Sequence, residues 1–277
     1  MWKILRARAG QGRRTLAFPE AEPVLPDRFR GAPALDATRC RDGCRECVAA
    51  CPTGALTRGA ELALDLGRCL FCSECADACP AGALRFGRDH RMATRRRDDL
   101  ILGQGAIPLA RALERRLLRI FGRSLRLRQV SAGGCNACEA DVNVLSTVVF
   151  DLSRFGIQFV ASPRHADGIL VTGAVSRNMR LALEKTWAAV PEPRFVIAVG
   201  ACAISGGPYI DHPEVCNGLE GMIPIDLYVP GCPPHPLTIL DGLLRLLGRV
   251  EDGGREAPAA TDGSTRPRAE RSERDAG

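Results

Sequence analysis

CRDGCRECVAACPTGALTRGAELALDLGRCLFCSECADACP, residues 40–80, decides how the chain is read. It holds C-x3-C-x2-C-x3-C-P, a spacer of sixteen residues, and C-x2-C-x2-C-x3-C-P. The first run is Cys40, Cys44, Cys47 and Cys51, followed by Pro52; the second is Cys69, Cys72, Cys75 and Cys79, followed by Pro80. The tails CPTGAL (51–56) and CPAGAL (79–84) nearly repeat, so the segment is an internal duplication. A cubane of iron and sulfide needs one thiolate on each iron. Three closely spaced cysteines let a tight loop wrap three corners, and the fourth ligand must come from further off. Structural zinc uses paired half-sites far apart rather than two quartets. Disulfides belong to oxidising compartments and mostly to small secreted chains.

The double run resembles that of two-cluster ferredoxins, in which the fourth cysteine of each run serves the other cluster. That resemblance implies one 4Fe–4S cluster on Cys40, Cys44, Cys47 and Cys79, and another on Cys69, Cys72, Cys75 and Cys51. The first run has one extra residue, Asp42 or Gly43, between its first two cysteines, which loosens that loop.

The chain has 277 residues, enough for one or two domains with a buried core. Its 45% hydrophobic and 25% charged residues are those of an ordinary soluble protein. A net charge of +6, carried by arginine, suits an acidic partner or an anionic membrane surface and does not demand nucleic acid. No apolar run is long enough for a membrane span. No apolar h-region follows Arg13–Arg14, and Pro19 and Glu20 come almost at once, so no export signal is read. Thirteen cysteines then point to a reducing cytoplasm and to metal.

In chain order, residues 1–39 read as an N-terminal arm with a helix-like start at Trp2–Leu5, and 40–87 as the two-cluster domain. That domain is small enough to depend on its clusters for stability. Residues 88–124 read as a basic linker and an amphipathic helix at 107–121, with Leu109, Leu113, Leu117, Ile120 and Phe121 on one face and Arg111, Arg115 and Arg119 on another. Such a helix lies on a membrane surface or packs on the neighbouring domain. Residues 125–249 alternate strand and helix. Strands are expected at 125–130, 157–161, 168–174, 194–200 and 225–231, and helices at 139–155, 177–189 and 237–248. This predicts a parallel three-layer α/β sheet with its functional residues beyond the strands' carboxyl ends. Cys135 and Cys138 follow the first strand, Cys202 the fourth and Cys232 the fifth, so four thiols can converge on one edge as a third cluster site. Taken alone, C-x2-C also fits a thioredoxin-like redox pair. Cys216 fits no quartet and reads as a free thiol. Residues 250–277 read as a disordered tail.

The motifs GGCNACE (133–139), SPRHADGILVTGAVSRNMR (162–180), GACAISGG (200–207) and IPIDLYVPGCPPHP (223–236) make residues 125–249 similar to the 20-kDa-type iron–sulfur subunit. That subunit is shared by respiratory complex I and the membrane-bound group 4 nickel–iron hydrogenases. Cys135 and Cys138 stand two residues apart, as in hydrogenase small subunits, whereas complex I subunits typically start the site with adjacent cysteines. SPRHAD and the GCN-x-CE run resemble the formate hydrogenlyase and hydrogenase-4 type. Residues 1–86, with FRGAP at 29–33, resemble the two-cluster ferredoxin-like subunit of the same complexes, so the chain looks like two subunits fused.

The resemblance implies a flavodoxin-like core and a third 4Fe–4S cluster on Cys135, Cys138, Cys202 and Cys232. It also implies a large-subunit partner that holds the catalytic centre, membrane subunits beside it, and a peripheral position on the cytoplasmic face of the membrane. The chain would be the non-catalytic electron-transfer subunit of an oxidoreductase, a membrane-associated group 4 nickel–iron hydrogenase complex of the formate hydrogenlyase type, relaying electrons through three 4Fe–4S clusters to the large subunit. The alternative is the same role in a complex-I-like, NADH-quinone oxidoreductase-related complex without nickel. An iron–sulfur nucleic-acid binder is a third class, but no helix-turn-helix or stacking platform accompanies the arginines. Glu139 and Asp141 read either as part of a proton path or as acids favoured by a helix N-terminus. Arg164 and His165 either face the large subunit or are surface loop residues.

Overall fold

The computed structural model describes residues 1–250 except 60, 104, 114, 122 and 123. The tail expected at 250–277 lies outside the described residues from 251 onward. The elements run α1 (Trp2–Gln11), β1 (Pro33–Leu35), α2 (Glu46–Ala49), β2 (Leu56–Arg58), β3 (Leu62–Asp65), α3 (Glu74–Asp77), β4 (Leu84–Phe86), β5 (Ile101–Leu102) and α4 (Arg115–Phe121). They continue β6 (Leu125–Ser131), α5 (Ala137–Val144), β7 (Ile157–Phe159), β8 (Gly168–Thr172), α6 (Arg177–Ala189), β9 (Phe195–Val199), α7 (Ala201–Ser205), β10 (Leu227–Val229) and α8 (Pro236–Leu246).

Five parallel strands form the main sheet, in the order β10-β9-β8-β6-β7. Counted from β6 this is 2-1-3-4-5, the flavodoxin-like doubly wound order, with its switch point between β6 and β8. The unbroken apolar runs explain why the middle strands are buried on both faces: every residue of β8 and β9 is buried. Helix α8 closes one side and is buried along its length, including the ion pair Asp241–Arg245 at 2.7 Å.

Ahead of this sheet, the duplicated cysteine segment folds as two small sheets. One pairs β1 with β4, and the other orders β2-β3-β5. Leu64, Leu66 and Leu100 of this module share one apolar core with Val130, Ile169, Val171 and Val196 of the main sheet. Ser205 Oγ donates to Gly67 O at 2.8 Å across the boundary.

The stretch read as a linker is structural. Leu102 pairs with Leu64, so β5 supplies the third strand of the cluster module. Thr94 and Tyr228 exchange backbone bonds of 3.0 and 2.8 Å and extend the edge at β10. Arg97 clasps Asp65 with bonds of 2.8 and 2.5 Å.

The helix expected at 107–121 begins only at Arg115. Pro108 offers no N–H and pushes Ile107 towards extended backbone. Ala110 N–H instead bonds Ala93 O at 2.7 Å, and Leu113 N–H bonds Leu246 O at 3.0 Å. Ala110, Leu113 and Phe121 are buried, so this segment packs on the sheet domain.

The helix expected at 139–155 ends at Val144. The Thr147 hydroxyl competes for Val144 O at 2.7 Å, and the β-branched Thr147, Val148 and Val149 follow. A 3-10 turn at Leu152–Phe155 then leads into β7. Helix α1 is longer than its sequence cue and buries no residue. The rest of the arm does pack: Phe18 is in the core, and Leu16 N–H bonds Val149 O at 2.8 Å. Among the described residues no helix is long and apolar enough to cross a membrane.

Candidate iron–sulfur centres

Each cysteine run follows a turn into a four-residue helix, α2 or α3, that carries the third cysteine inward: Cys47 and Cys75 are buried. The fourth cysteine then meets the repeated C-P-x-G-A-L tail. There the chain turns back so that Ala55 N–H points at Cys51 Sγ (3.2 Å) and Ala83 N–H at Cys79 Sγ (3.3 Å). Burial raises both thiols, but the donors prevail. Thr53, Ala55 and Leu56 hold Cys51 below its ordinary value, and Ala83, Ala81, Leu84 and Gly82 do the same for Cys79. Preorganised N–H donors of this kind suit a thiolate.

The thiols gather across the runs, not within them. Burial pushes Cys47 up, and Cys79, Cys40 and Cys44 push it further. The same four line a shared pocket with Leu62 and Pro80. Burial pushes Cys69 up to about 12, against the Phe71 N–H and with Cys75, Cys51 and Cys72 as its charged neighbours. Cys75 is raised to about 11, again by burial first and then by Cys51 and Cys72.

The third group forms where the parallel sheet ends. The loop after β6 carries Cys135 and starts α5 at Ala137, so Cys138 lies in the first turn. Cys202 lies in the short buried helix α7 after β9. The strand-end pattern places both in loops; a helix begins immediately after each glycine-bearing turn instead. Cys232 follows β10. Cys138 is raised by burial, then by Cys202, Glu139, Cys232 and Cys135. Burial, Cys232 and Cys135 raise Cys202 to about 12.

Two glycines are needed for this closeness. A Cβ on Gly200 (φ +91) would lie 2.6 Å from Cys138 Sγ, and one on Gly173 (φ +87) would lie 2.5 Å from Gly134 N. Cys135 is exposed, Cys232 half-buried, and Cys138 and Cys202 buried, so the group opens to the surface on one side.

The second and third groups are neighbours. After burial and Cys135, the charge that raises Cys232 is Cys72. The arm ties the two sides together: Arg30 Nη1 donates to Phe71 O at 3.2 Å, and the Phe29 ring meets His235 edge-on at 5.3 Å.

Among the described residues no three thiol, imidazole or carboxylate groups close on a point that one ion could fill. Thiols that hold a cubane by its separate corners need no such point. The donor sets, the N–H groups aimed at sulfur and the glycine-lined approach all fit 4Fe–4S clusters.

Glu139 is buried, and its Oε1 accepts from Ser131 Oγ and Thr172 Oγ1, each at 2.7 Å. It is a fixed acceptor beneath the third group. Asp141 is half-buried, and burial raises its carboxyl. Arg164 and His165 are exposed on a 3-10 turn after β7. Cys216 is half-buried, with its N–H on Val175 O at 2.9 Å. Sequence reasoning missed Arg58, whose Nη1 donates to Cys40 Sγ at 2.8 Å.

Residues 39–83 match the model of a 4Fe-4S dicluster domain, and residues 135–246 that of the NADH ubiquinone oxidoreductase, 20 Kd subunit. The probable membrane-bound hydrogenase subunit mbhJ of Pyrococcus furiosus is 38% identical over 134 residues, 48% of this chain and 80% of that protein. The chain belongs to the 20 Kd subunit family. Formate hydrogenlyase subunit 7 of Escherichia coli is 44% identical over 135 residues, 49% of this chain. The match spans about half the length of that relative, 53%. An NADH-quinone oxidoreductase subunit of Heliobacterium modesticaldum is 38% identical over 122 residues, 44% of this chain and 70% of that protein. Family members are thus subunits of oxidoreductases, and hydrogenase-type and quinone-reductase-type relatives match this chain at similar identity.

Proposed function

We propose that this chain is the electron-transfer subunit of a membrane-associated group 4 nickel–iron hydrogenase complex of the formate hydrogenlyase kind, on the cytoplasmic face of the membrane. The observation that carries the reading is that the second group abuts the third: Arg30 Nη1 bonds Phe71 O, the adjacent Phe29 ring meets His235, and Cys72 is among the charges that raise Cys232. When bound, three 4Fe–4S clusters supply one-electron chemistry without a bond made or broken.

The chain's own residues do the holding. Cys40, Cys44, Cys47 and Cys79 form one ligand set; Cys69, Cys72, Cys75 and Cys51 form the second; Cys135, Cys138, Cys202 and Cys232 form the third. Cys69, Cys75, Cys138 and Cys202 are buried and would hold the clusters on the side away from water. N–H groups of Ala55, Phe71 and Ala83 steady the thiolates. Exposed Cys135 marks the side on which a catalytic large subunit would sit.

The Cys135-x2-Cys138 spacing and the identity to formate hydrogenlyase subunit 7 favour a hydrogenase. The identity to the NADH-quinone oxidoreductase relative favours the second reading, the same relay in a complex-I-like assembly without nickel. Nickel and iron analysis of the complex isolated anaerobically through this chain separates the two. Nickel at about one per chain with the iron is expected of a hydrogenase. An intact, active complex with iron and no nickel would overturn that reading and leave the second.

A further inference from the structure

The two halves of the cysteine module are copies, and they differ where the strand after each fourth cysteine turns back towards its own half's first cysteine. Aligning CPTGALTR (51–58) with CPAGALRF (79–86) puts Arg58 opposite Phe86. Each is the last residue of the short strand that follows a fourth cysteine, β2 or β4. Arg58 Nη1 donates to Cys40 Sγ at 2.8 Å, and its Nη2 donates to Arg41 O at 3.3 Å, which fixes the guanidinium over the sulfur.

The counterpart is apolar. The Phe86 ring lies against Phe71 with centroids 5.8 Å apart, and Cys69 Sγ accepts the neutral Phe71 N–H, at 3.3 Å. Cys69 is 5% exposed, whereas Cys40 is half-buried. Duplicate thiols therefore sit in different surroundings: one bonded by a cation near solvent, the other buried and bonded only by a neutral backbone N–H.

We propose that Arg58 raises the reduction potential of the cluster held by Cys40, Cys44, Cys47 and Cys79 above that of its duplicate. This rests on the proposed cluster ligation. Reduction adds one electron to an already anionic cluster. A charge-assisted hydrogen bond to a ligand sulfur stabilises the added charge more than the oxidised state. Burial without a cation does the reverse, because low-polarity surroundings disfavour added charge. Arg58 faces solvent in part, and screening limits its effect to about a tenfold change in the reduced-to-oxidised ratio, which is about 59 mV for one electron.

The test is a potentiometric titration, followed by electron paramagnetic resonance, of the full chain loaded with iron anaerobically. Wild type is compared with Arg58→Leu and Arg58→Lys. The expected result is one midpoint lowered by about tenfold in ratio in Arg58→Leu, a smaller drop in Arg58→Lys, and the other midpoints unmoved. An Arg58→Leu protein with all midpoints unchanged, or with all of them moved alike, overturns the proposal. Where Arg58→Leu loads less iron than wild type, Arg58→Gln keeps a donor without the charge, and an unshifted midpoint there overturns it equally. A wild-type chain without cluster signals would instead fail the ligation reading.

Discussion

Breaking the clasp between Asp65 and Arg97 is expected to loosen the joint between the cluster module and the sheet. Arg97 reaches both oxygens of Asp65, at 2.8 and 2.5 Å, and their side chains are only 19% and 17% exposed. Asp65 Oδ1 also accepts the Gly67 N–H at 2.8 Å, and Gly67 O receives Ser205 Oγ from the cysteine-bearing helix α7. Losing one partner of a fully buried pair costs about 3–5 kcal/mol. The residual solvent access lowers this to about 2 kcal/mol for Arg97→Met. Asp65→Asn keeps an acceptor for Gly67 and is expected to cost about as much. Because each single variant already loses the pair, Asp65→Asn with Arg97→Met should cost about 1–2 kcal/mol less than the sum.

Cluster-bearing chains rarely unfold reversibly, so the assay is the rate of cluster bleaching and helix loss in guanidinium. About 2 kcal/mol corresponds to unfolding up to about thirtyfold faster. Arg97→Met unfolding within about twofold of wild type, or a double variant equal to the sum of the singles, would refute the clasp.

His90 is 3% exposed, meets the Phe18 ring at 5.6 Å, and is lowered to about 4, chiefly by burial. A histidine depressed in the fold contributes stability that is present above its ordinary value and lost as pH falls towards the folded one. Stability should therefore drop by about 2 kcal/mol between pH 7 and pH 5, and His90→Gln should flatten that loss when unfolding rates are compared at both pH values. Gly200→Ala is expected to abolish the third cluster's spectroscopic signal while leaving the other two, because the added Cβ lies 2.6 Å from Cys138 Sγ. Deleting residues 2–11 should leave thermal unfolding of the loaded chain unchanged within about 0.5 kcal/mol, since α1 buries no side chain.

The gathering of the cysteines was legible because their runs and strand-end positions are written in the spacing, and the parallel strands because both-sided burial demands unbroken apolar runs such as GILVT and FVIAV. The join between the halves was not. Arg95–Arg97 and the glycines after Leu102 look like a linker to any local pattern, yet Arg97 has its partner 32 residues away and Leu102 pairs with Leu64. Tertiary contacts also overrode the helical period at 107–113, where Pro108 and two backbone bonds to distant carbonyls keep the chain out of the helix. Arg58 carried a signal that could have been read: two residues beyond the nearly shared C-P-x-G-A-L, one copy has an arginine where the other has Phe86.

Twelve cysteines that hold three clusters fix the iron content of the chain. Iron and acid-labile sulfide are measured on the anaerobically purified full chain, beside Cys232→Ser. About twelve irons are expected per wild-type chain, with a fall of up to about four in the variant and the two module clusters still visible by resonance. About eight irons in both proteins would contradict it.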